Sequence, residues 1–567
     1  MPTRRHEELG KKMLLSSRVS LPAPLRTSAP QNLAIAQFFA ASPLPSPSLP
    51  SILPRHGKKP PPLNGRKIVR VLVWLSILVT LYWLVQICTN RRPHSRAPTT
   101  ALPFGDTSYE IVAAVELPNH ATPLAVIDGW GRRRWTISIP ERLPFPLPAT
   151  EYTDICSQTE EIARHVAGNQ RSGRSPGYYF SEPHYIDVKE AQAAHLIPPA
   201  LEAVHGSKAM PHCERSLTYV LDSTEAGLGS TLLGLWLSYG LSQRERRAFF
   251  IDDTHFPYGN YSTLFTPIHS PSCSPPPKTE RVPCPHEAKH LVVTAATFRW
   301  SFGNSFFQHY GLRGVFDMAR DGFEALFKLR PDDAEYVSRR VADLKQHFNG
   351  SEDLLVGIHI RRGDRHPFEF AYQHAYLPPN IYMKAAHKLV ANAHVTKFLL
   401  ASDDPDVYGH AELPDTVRAQ ERISLASKRV LGGGHLGWEG GFFKDVFWSL
   451  GLPLHAQEQK RIGSPTPVRE KQGAKPVYDA QELERDYRAN PTKEALQLRE
   501  LIGRAYLLDL AVLAQSDRIV CGVSSYACRI LAVMMGWHRA FERGEWKNVD
   551  GQYGWRALDS SQPPFWP

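Results

Sequence analysis

The sequence predicts an α/β protein with two Rossmann-like halves, a cleft between them and a single transmembrane helix before them. Two series of strands that alternate with helices predict two parallel sheets. One apolar segment of membrane length precedes both series. The 567 residues, of which 42% are hydrophobic and 22% are charged, are enough for more than one packed domain.

Basic residues are concentrated at the start of the chain. Residues 1–96 contain 15 Lys and Arg against two acids, a net charge of +13, whereas the whole chain carries +10. The remainder therefore carries 10 − 13, a net charge of −3. Nucleic-acid binding requires a basic surface on the folded domain itself, so this distribution argues against nucleic acid as a partner.

The membrane-length segment runs from Ile68 to Cys88, and Arg70 is its one charged residue. This composition predicts a transmembrane helix. The alternative is a cleaved signal peptide, but the segment starts too far from the N-terminus and its apolar part is too long. More basic residues precede the segment than follow it, which predicts a type II topology with a cytosolic N-terminus. We therefore expect everything after Cys88 to lie in the secretory lumen or outside the cell.

The composition suggests six segments along the chain. In order they are a disordered cytosolic tail, the signal anchor, a stem, an N-terminal α/β half, a C-terminal α/β half with an insertion, and a C-terminal tail. Their predicted bounds are 1–67, 68–88, 89–150, 151–350, 351–540 with the insertion at about 431–495, and 541–567.

Six cysteines follow the anchor, an even number that suits disulfides in an oxidising compartment. Cys273 and Cys284, and likewise Cys521 and Cys528, are close enough in sequence to pair locally, which would leave the other two for each other. Six cysteines nevertheless allow 15 connectivities. Zinc is the rival interpretation, but the chain has no CxxC. Two N-glycosylation sequons agree with a lumenal location. The remaining cysteines and the sequon asparagines are Cys156, Cys213, Asn260 and Asn349.

The first strand–helix series lies in "LTYVLDSTEAGLGSTLLGLWLSYGLSQRERRAFFIDD". Its pattern predicts a strand over 217–222, a helix over about 230–242 and a strand over 248–252. The second series starts with the strand "DLLVGIHIRRGD" and continues through a helix to the strand "KFLLASDDP". After the insertion, a long helix leads to the strand "DRIVCGV" and a final helix.

Two adjacent arginines, Arg361 and Arg362, directly follow the strand of residues 356–360, and Asp364 comes just after them. Ligands of α/β sheets bind beyond the carboxyl ends of the strands, and paired guanidinium groups suit a diphosphate. The alternative is a strand end whose arginines are merely solvated. The tripeptide from Arg362 to Asp364 is also an adhesion motif, but here it continues a buried strand.

Three further segments lie between a strand and the next helix. Serines at a helix N-terminus hold an anion without a lysine, although a simple N-cap explains "VSSY" as well. The glycines of "AGLGS" permit close backbone approach without forming a full phosphate-binding fingerprint. Paired aspartates in "ASDDP" suit either a metal or a capped turn. The residues concerned are Ser524, Ser525, Gly227, Gly229, Asp403 and Asp404.

Three stretches together resemble the core α1,6-fucosyltransferases, including the rhizobial nodulation fucosyltransferases. They are "IHIRRGDRHPFE", "AYLLDLAVLAQSDRIVCGVSSYACRI" and "AGLGSTLLGLWLSYG", and the resemblance covers roughly residues 215–536. It implies a GT-B-like architecture in which the N-terminal half lies on the acceptor side and the C-terminal half binds GDP-fucose. It also implies a Golgi membrane protein with a lumenal catalytic part, and a disulfide between Cys521 and Cys528. In this sequence Arg365 replaces the family's lysine and Tyr526 replaces its glutamine.

The resemblance also implies roles for single residues. The arginines would grip the diphosphate of GDP-fucose, and Asp509 would read the guanine edge. The serines and glycines would contact the phosphates, and Tyr258 would lie by the ribose. Glu369 would be the general base, and Asp364, Asp403 and Asp404 would support the acceptor site or its neighbours. The implied catalytic set is Glu369, Asp364 and Arg361, and the implied donor-binding set is Gly227, Gly229, Tyr258, His359, Arg361, Arg362, Asp509, Ser524 and Ser525.

We therefore expect a metal-independent, inverting transferase without a cofactor, which moves fucose from GDP-fucose to an N-glycan core GlcNAc or a chitooligosaccharide-like acceptor. Three alternatives stay open. One is a protein O-fucosyltransferase, and another is a GT-A enzyme that holds manganese with Asp403 and Asp404. The third is a catalytically silent, lectin-like or adhesion protein at the membrane.

Overall fold

The structure is a computed structural model, and it divides into two compact units, Met1–Gly105 and Asp106–Pro567. In the first unit it describes Trp74 and Ser76, which are helical. Every element below belongs to the second unit. There the structure describes residues 117–168, 179, 181–199, 210–222, 227–346, 348, 353–362, 367–372, 375–390, 396–425, 447 and 491–559.

The predicted stem contains an antiparallel hairpin. Strands β1 (Thr122–Ile127) and β2 (Arg133–Ser138) pair with each other, and Trp135 and Ile137 of β2 are buried. Helix α1 (Ala149–Ala167) packs on the hairpin, and the short helix α2 (Val188–Ala193) contacts β2. The part of the stem from Thr122 onward is therefore packed into the globular unit.

The N-terminal half contains a three-stranded parallel sheet in the order β4-β3-β5. Helix α3 is predominantly apolar around its circumference, and it is buried along most of its length, as such helices are. It packs against α6. The elements are β3 (Ser216–Val220), α3 (Leu228–Arg244), β4 (Ala248–Asp252), α4 (Tyr261–Leu264), β5 (His290–Val293), α5 (Phe298–Ser301) and α6 (Asn304–Leu326).

The C-terminal half is built on a five-stranded parallel sheet in the order β10-β9-β6-β7-β8. Its central strand β6 is apolar and almost entirely buried, as a parallel strand covered on both faces must be. The elements are α7 (Pro331–Lys345), β6 (Leu354–Ile360), α8 (Pro379–Leu389), β7 (Thr396–Ser402), β8 (Thr416–Arg418), α9 (Lys493–Leu513), β9 (Arg518–Cys521), α10 (Tyr526–Met535), a π-helical turn (His538–Glu542) and β10 (Trp546–Asn548).

These sheets confirm the prediction of an α/β protein with two parallel sheets. Several boundaries differ from the predicted ones. The strand expected over 217–222 is shifted to Ser216–Val220, and α10 begins at Tyr526 because Ser525 is its N-cap. The segment interpreted as a C-terminal tail from residue 541 instead supplies β10, which extends the sheet in parallel beside β9.

Three disulfides link the described cysteines. The predicted Cys521–Cys528 bond is confirmed, with a Cα–Cα distance of 5.4 Å. The local pairing of Cys273 with Cys284, and the Cys156–Cys213 pairing that it leaves, are both wrong. Cys213 pairs with Cys273 because a parallel bridge between their neighbours His212 and Ser274 brings the two segments together. The third disulfide joins Cys156 of α1 to Cys284 in the segment before β5.

The membrane prediction falls largely outside the described residues. Among the residues that are described, no helix is long and apolar enough to cross a membrane. Apart from Trp74 and Ser76, the predicted anchor over 68–88 is not among them, and neither are the tail 1–67 and most of the insertion at 431–495. Asn260 of the first sequon is exposed, whereas Asn349 of the second lies outside the described residues.

One buried ion pair ties α7 to α9, the helix that carries Asp509. Asp333 is 2% exposed, and its two carboxylate oxygens accept hydrogen bonds from Arg504 at 3.0 Å each. Arg422 approaches the same carboxylate at 3.0 Å. The pair connects the first turn of α7 to the middle of α9.

Replacing Asp333 by asparagine should lower the free energy of unfolding by about 1–3 kcal/mol, because the partly buried Arg504 loses a charged acceptor. Denaturant unfolding measures the change. The control is Glu335→Gln on the same helix, where the carboxylate is 70% exposed and pairs with an exposed arginine. That change should stay within about 0.5 kcal/mol. Equal effects of the two substitutions would contradict the assigned role of Asp333.

Candidate active site

The register of the five-stranded sheet brings four loops to its carboxyl edge. Ile360 of β6 pairs with Ser402 of β7, so Arg361 and Asp403 leave the sheet side by side. On the other side of β6, His359 pairs with Cys521 of β9. The loop after β9 contains Ser524 and Ser525 and is called the double-serine loop below; this pairing places it next to the arginines. β10 ends beside Cys521, so the turn that follows it reaches the same edge.

Asp403 holds both predicted diphosphate-binding arginines. One of its oxygens accepts a hydrogen bond from the Arg361 guanidinium, and the other accepts one from the backbone N–H of Arg362 at 2.8 Å. The Arg362 guanidinium lies over the Tyr376 ring, 5.5 Å from its centroid. Arg361 keeps a third of its side-chain surface exposed. The pair is thus oriented by one carboxylate and is accessible to an anion.

Asp404 has a different surrounding from Asp403. Its carboxylate accepts a hydrogen bond from the backbone N–H of Asp406 at 3.1 Å, which caps the short turn after β7. The sequence allowed either a metal site or a capped turn at these aspartates, and at Asp404 the contact is that of a capped turn. Within the described residues, no group of three or more His, Cys, Asp or Glu side chains is arranged to hold a metal ion.

His359 is fully buried beneath the arginines. Burial lowers the pKa of His359 to about 4, while the nearby Asp403 acts in the opposite direction. Among the described residues its Nδ1 has no hydrogen-bond partner. The imidazole is therefore neutral at physiological pH and adds no charge to the arginine pair.

The double-serine loop connects β9 to α10. Ser524 and Ser525 are 7% and 5% exposed, and the N-terminal backbone N–H groups of α10 follow directly. Within the described part of the chain, the Ser525 side chain makes no capping hydrogen bond, so its hydroxyl is available to a ligand. The Cys521–Cys528 disulfide spans the loop and fixes its two ends. A helix N-terminus opposite two arginines is a suitable site for an anion.

A pocket lies between the end of β7, β8 and α9, and it contains Asp509. The carboxylate is buried, and among the described residues its Oδ1 has no hydrogen-bond partner. Burial raises the pKa of Asp509 well above its usual range, with the Gln420 backbone N–H and Arg418 acting in the opposite direction. The lining residues are Ser402, Pro405, Tyr408, Arg418, Gln420, Ile423, Leu425, Ala505 and Asp509.

An acceptor oxygen in a pocket between flat and apolar side chains suits a planar base with N–H donors. Arg418 lies over the Tyr408 ring at 4.1 Å, which makes one wall of this pocket flat. The edge of guanine offers two adjacent donors to a carboxylate. The guanine-binding role that the resemblance implies for Asp509 is compatible with this pocket and stays a prediction.

Glu369 lies in the loop after β6 and is held by residues near the C-terminus. Its backbone N–H donates to Asp550 at 3.1 Å. The preceding Phe368 packs against the Tyr553 ring, with 5.0 Å between centroids, and its carbonyl accepts from the Tyr553 hydroxyl at 3.3 Å. The Glu369 side chain is half-buried. Asp364, its predicted companion, lies outside the described residues.

The N-terminal half contributes the predicted glycines and Tyr258. A Cβ at Gly229 would lie 2.6 Å from the Tyr506 hydroxyl and 2.9 Å from Tyr526, so the predicted close approach is one between α3 and the C-terminal half. Gly227, the N-cap of α3, has no described neighbour where a side chain would project. Tyr258 is buried against Gly503 of α9. The phosphate and ribose roles of these residues stay predictions.

Sequence reasoning missed two residues of this site, Asp550 and Arg418. Asp550 lies in the segment interpreted as a tail, and its importance depends on the pairing of β10, a strand of only three residues. Arg418 ends β8, another three-residue strand. Asn548 and Asp550 precede Gly551, and such residues are typical of a turn. This pattern was the available indication that the segment is ordered.

No protein-family model and no curated protein matches this chain. Among solved structures, the chain is similar to NodZ α-1,6-fucosyltransferase soaked with GDP-fucose, with 14% identity over 56% of this chain and 92% of that chain and a TM-score of 0.30. It is also similar to fucosyltransferase NodZ from Bradyrhizobium, with 15% identity over 56% and 92% and a TM-score of 0.28. These two structures are fucosyltransferases, the class that the sequence motifs resemble.

Proposed function

We propose that the chain is an inverting glycosyltransferase that moves fucose from GDP-fucose to a glycan acceptor. One observation carries this proposal: two arginines, a helix N-terminus and a buried carboxylate in a pocket share the carboxyl edge of one parallel sheet. A nucleoside diphosphate requires these groups, because it presents two phosphates and a base with hydrogen-bond donors. GDP-fucose is also the compound with which one of the similar NodZ structures was soaked.

The donor is held at three points. Arg361 and Arg362 take the diphosphate, and Ser524 and Ser525 contact it from the start of α10. Asp509 accepts the guanine edge in the pocket. From the N-terminal half, Tyr258 contacts the ribose, and Gly227 and Gly229 at the start of α3 contact the phosphates. The two guanidinium groups provide the positive charge that a metal ion provides in other transferases, so activity is expected to survive EDTA.

The reaction is a single displacement. Glu369 removes the proton from an acceptor hydroxyl, whose oxygen forms a bond to the anomeric carbon of fucose. The bond from that carbon to the β-phosphate oxygen breaks, and GDP leaves with the electron pair while Arg361 and Arg362 stabilise its charge. The sugar passes through an oxocarbenium-like transition state and its configuration inverts. Asp364 supports the acceptor.

The acceptor is an N-glycan core GlcNAc, fucosylated through an α1,6 linkage, or a chitooligosaccharide-like glycan. The test incubates the lumenal fragment from about residue 97 with labelled GDP-fucose and separate panels of N-glycans, chitooligosaccharides and peptides. Transfer to a glycan supports the proposal. Transfer to peptide hydroxyls alone would favour a protein O-fucosyltransferase. GDP-fucose binding without transfer to any panel would favour a silent lectin-like protein.

The location that fits this activity is the Golgi lumen, with residues 68–88 as a type II anchor. Two features support it: three disulfides, which persist in oxidising compartments, and the excess of basic residues before the apolar segment. Protease protection of the catalytic part in intact microsomes would test it.

GDP binding is expected to weaken at low pH. Burial raises the pKa of Asp509 in the nucleotide-free protein, whereas the guanine N–H donors favour the ionised carboxylate. Donor binding therefore releases a proton. The affinity is complete above the raised pKa and falls as the pH drops through it. Calorimetry of GDP binding in buffers of different ionisation enthalpy measures the released proton directly.

Asp509→Asn should abolish this pH dependence and weaken GDP binding roughly 10- to 150-fold, because a charge-assisted acceptor is lost. Asp343→Asn, an exposed position on α7, is the matched control and should leave both quantities unchanged. An unchanged pH dependence in Asp509→Asn would assign the proton to another group.

A further inference from the structure

The turn after β10 joins two loops that the proposed mechanism uses separately. Asp550 is fully buried, and its two carboxylate oxygens have different partners. Oδ1 accepts from the backbone N–H of Glu369 at 3.1 Å, and Oδ2 accepts from the backbone N–H of Ser524 at 3.0 Å. One side chain thus connects the loop of the proposed base to the loop of the proposed phosphate site.

The turn itself is rigidly built. Asn548 Oδ1 accepts from the backbone N–H groups of Val523 and Asp550, both at 2.9 Å. The Asn548 amide donates to the carbonyl of Asp550 at 3.1 Å and to that of Tyr553 at 3.0 Å. Asn548 therefore orders the chain on both sides of Asp550 and anchors it to the strand end at β9.

Gly551, the next residue of this turn, lies beside the Glu369 carboxylate. A Cβ at Gly551 would lie 2.7 Å from Glu369 Oε2 and 3.2 Å from the ring of Tyr553. A distance of 2.7 Å is too short for a carbon atom beside a carboxylate oxygen. The absence of a side chain at Gly551 is therefore what leaves room for the carboxylate in its present position.

We propose that the turn from Asn548 to Gly551 is a positioning element that sets Glu369 relative to the double-serine loop. Asp550 fixes the backbone of Glu369, and Gly551 sets the limit on where its carboxylate lies. This inference rests on the proposed function, because the contacts matter for catalysis only if Glu369 is the base and the double-serine loop holds the departing diphosphate. Such reactions require the reacting groups to be held within a fraction of an ångström.

Gly551→Ala tests the inference, and Gly544→Ala is its matched control. Both glycines have positive φ, +65° at Gly551 and +66° at Gly544, so an alanine strains the backbone equally. The Gly551 Cβ meets two side chains, whereas none of the described residues lies within 4 Å of the Cβ position at Gly544. Any difference between the two variants therefore reports the displacement of Glu369 and Tyr553.

We expect Gly551→Ala to lower kcat by about 10- to 100-fold relative to Gly544→Ala. The donor KM should differ by no more than about twofold between the two variants, and so should the GDP affinity. A purely structural role predicts equal kcat values in the two variants once their melting temperatures match. That result would overturn the inference. A loss of GDP affinity equal to the loss in kcat would overturn it too, because the damage would then not be confined to the base.

Asp550→Asn provides a second measurement. The amide keeps one acceptor oxygen and turns a donor toward the other N–H, so either Glu369 or Ser524 loses its partner. We expect a lower kcat together with a higher donor KM. Glu369→Gln distinguishes a failure of the proposed base from a failure of the positioning inference. If it leaves transfer unchanged, the proposed base is wrong; if it abolishes transfer while Gly551→Ala equals its control, only the positioning inference fails.

Discussion

Replacing Arg361 by alanine should lower kcat/KM for fucose transfer by about 100- to 1,000-fold, the range expected when one preorganised donor to a developing negative charge is removed. In the structure, Asp403 holds the Arg361 guanidinium at the edge of the sheet, where a third of its side-chain surface is open. In the proposed reaction the departing diphosphate gains charge as the fucosyl bond breaks, so we expect this cation to stabilise the transition state more than the bound donor. Steady-state transfer with labelled GDP-fucose measures the loss.

Arg320→Ala is the matched control for this prediction. Arg320 is 31% exposed, close to the 33% of Arg361, and it also pairs with one carboxylate, that of Glu324 at 2.7 Å. Its other hydrogen bonds reach carbonyls at the end of α10, away from the sheet edge. We expect near-normal transfer from this variant. Transfer by Arg361→Ala within about threefold of the wild type would remove the diphosphate assignment.

The parallel sheets were predictable because apolar strands, of which β6 and β7 have seven residues each, alternate with helices along the chain. The apolar run of β6 predicts a buried strand. A helix connects β6 to β7, and such a crossover connection predicts that the two strands are parallel, as they are. Arg361 and Asp403 could each be predicted to end a strand. Their contact could not, since it depends on the register that pairs Ile360 with Ser402.

The missed parts of the site are those that depend on short or distant pairings. β10 has three residues, too few for a hydrophobic period, so the segment with Asp550 read as a tail. The wrong disulfides have a similar cause. Cys273 is near Cys284 in sequence, but the chain carries it to Cys213, 60 residues away. Cysteines that are close in sequence need not be close in space, because a bridge between distant segments, here His212 with Ser274, decides which cysteines meet.

Asp509 shows a different limit. It lies within a mostly apolar helix, where an acid is usually an exposed residue, and the sequence pattern contains no sign that it is buried. The resemblance to fucosyltransferases alone singled it out. Its Oδ1 has no hydrogen-bond partner among the described residues, and it lies in a pocket that forms only in the folded chain, because residues of β8 and the following loop line it.

Replacing Glu369 by glutamine should lower kcat by about 100- to 10,000-fold, the usual contribution of a positioned general base. Glutamine has the shape of glutamate, and the backbone N–H that Asp550 accepts is untouched. The substitution therefore removes basicity without moving the loop. GDP affinity should stay within about twofold of the wild type, because the proposed role of Glu369 is toward the acceptor and not toward the nucleotide. Single-turnover transfer and GDP calorimetry together measure the two quantities.

Glu412→Gln is the control, since that carboxylate is exposed and accepts a backbone N–H, from Asn380 at 3.2 Å. We expect near-normal transfer from this variant. Transfer by Glu369→Gln within about threefold of the wild type would move the role of the base to another carboxylate. The natural choice would then be Asp364, the other acid that follows β6.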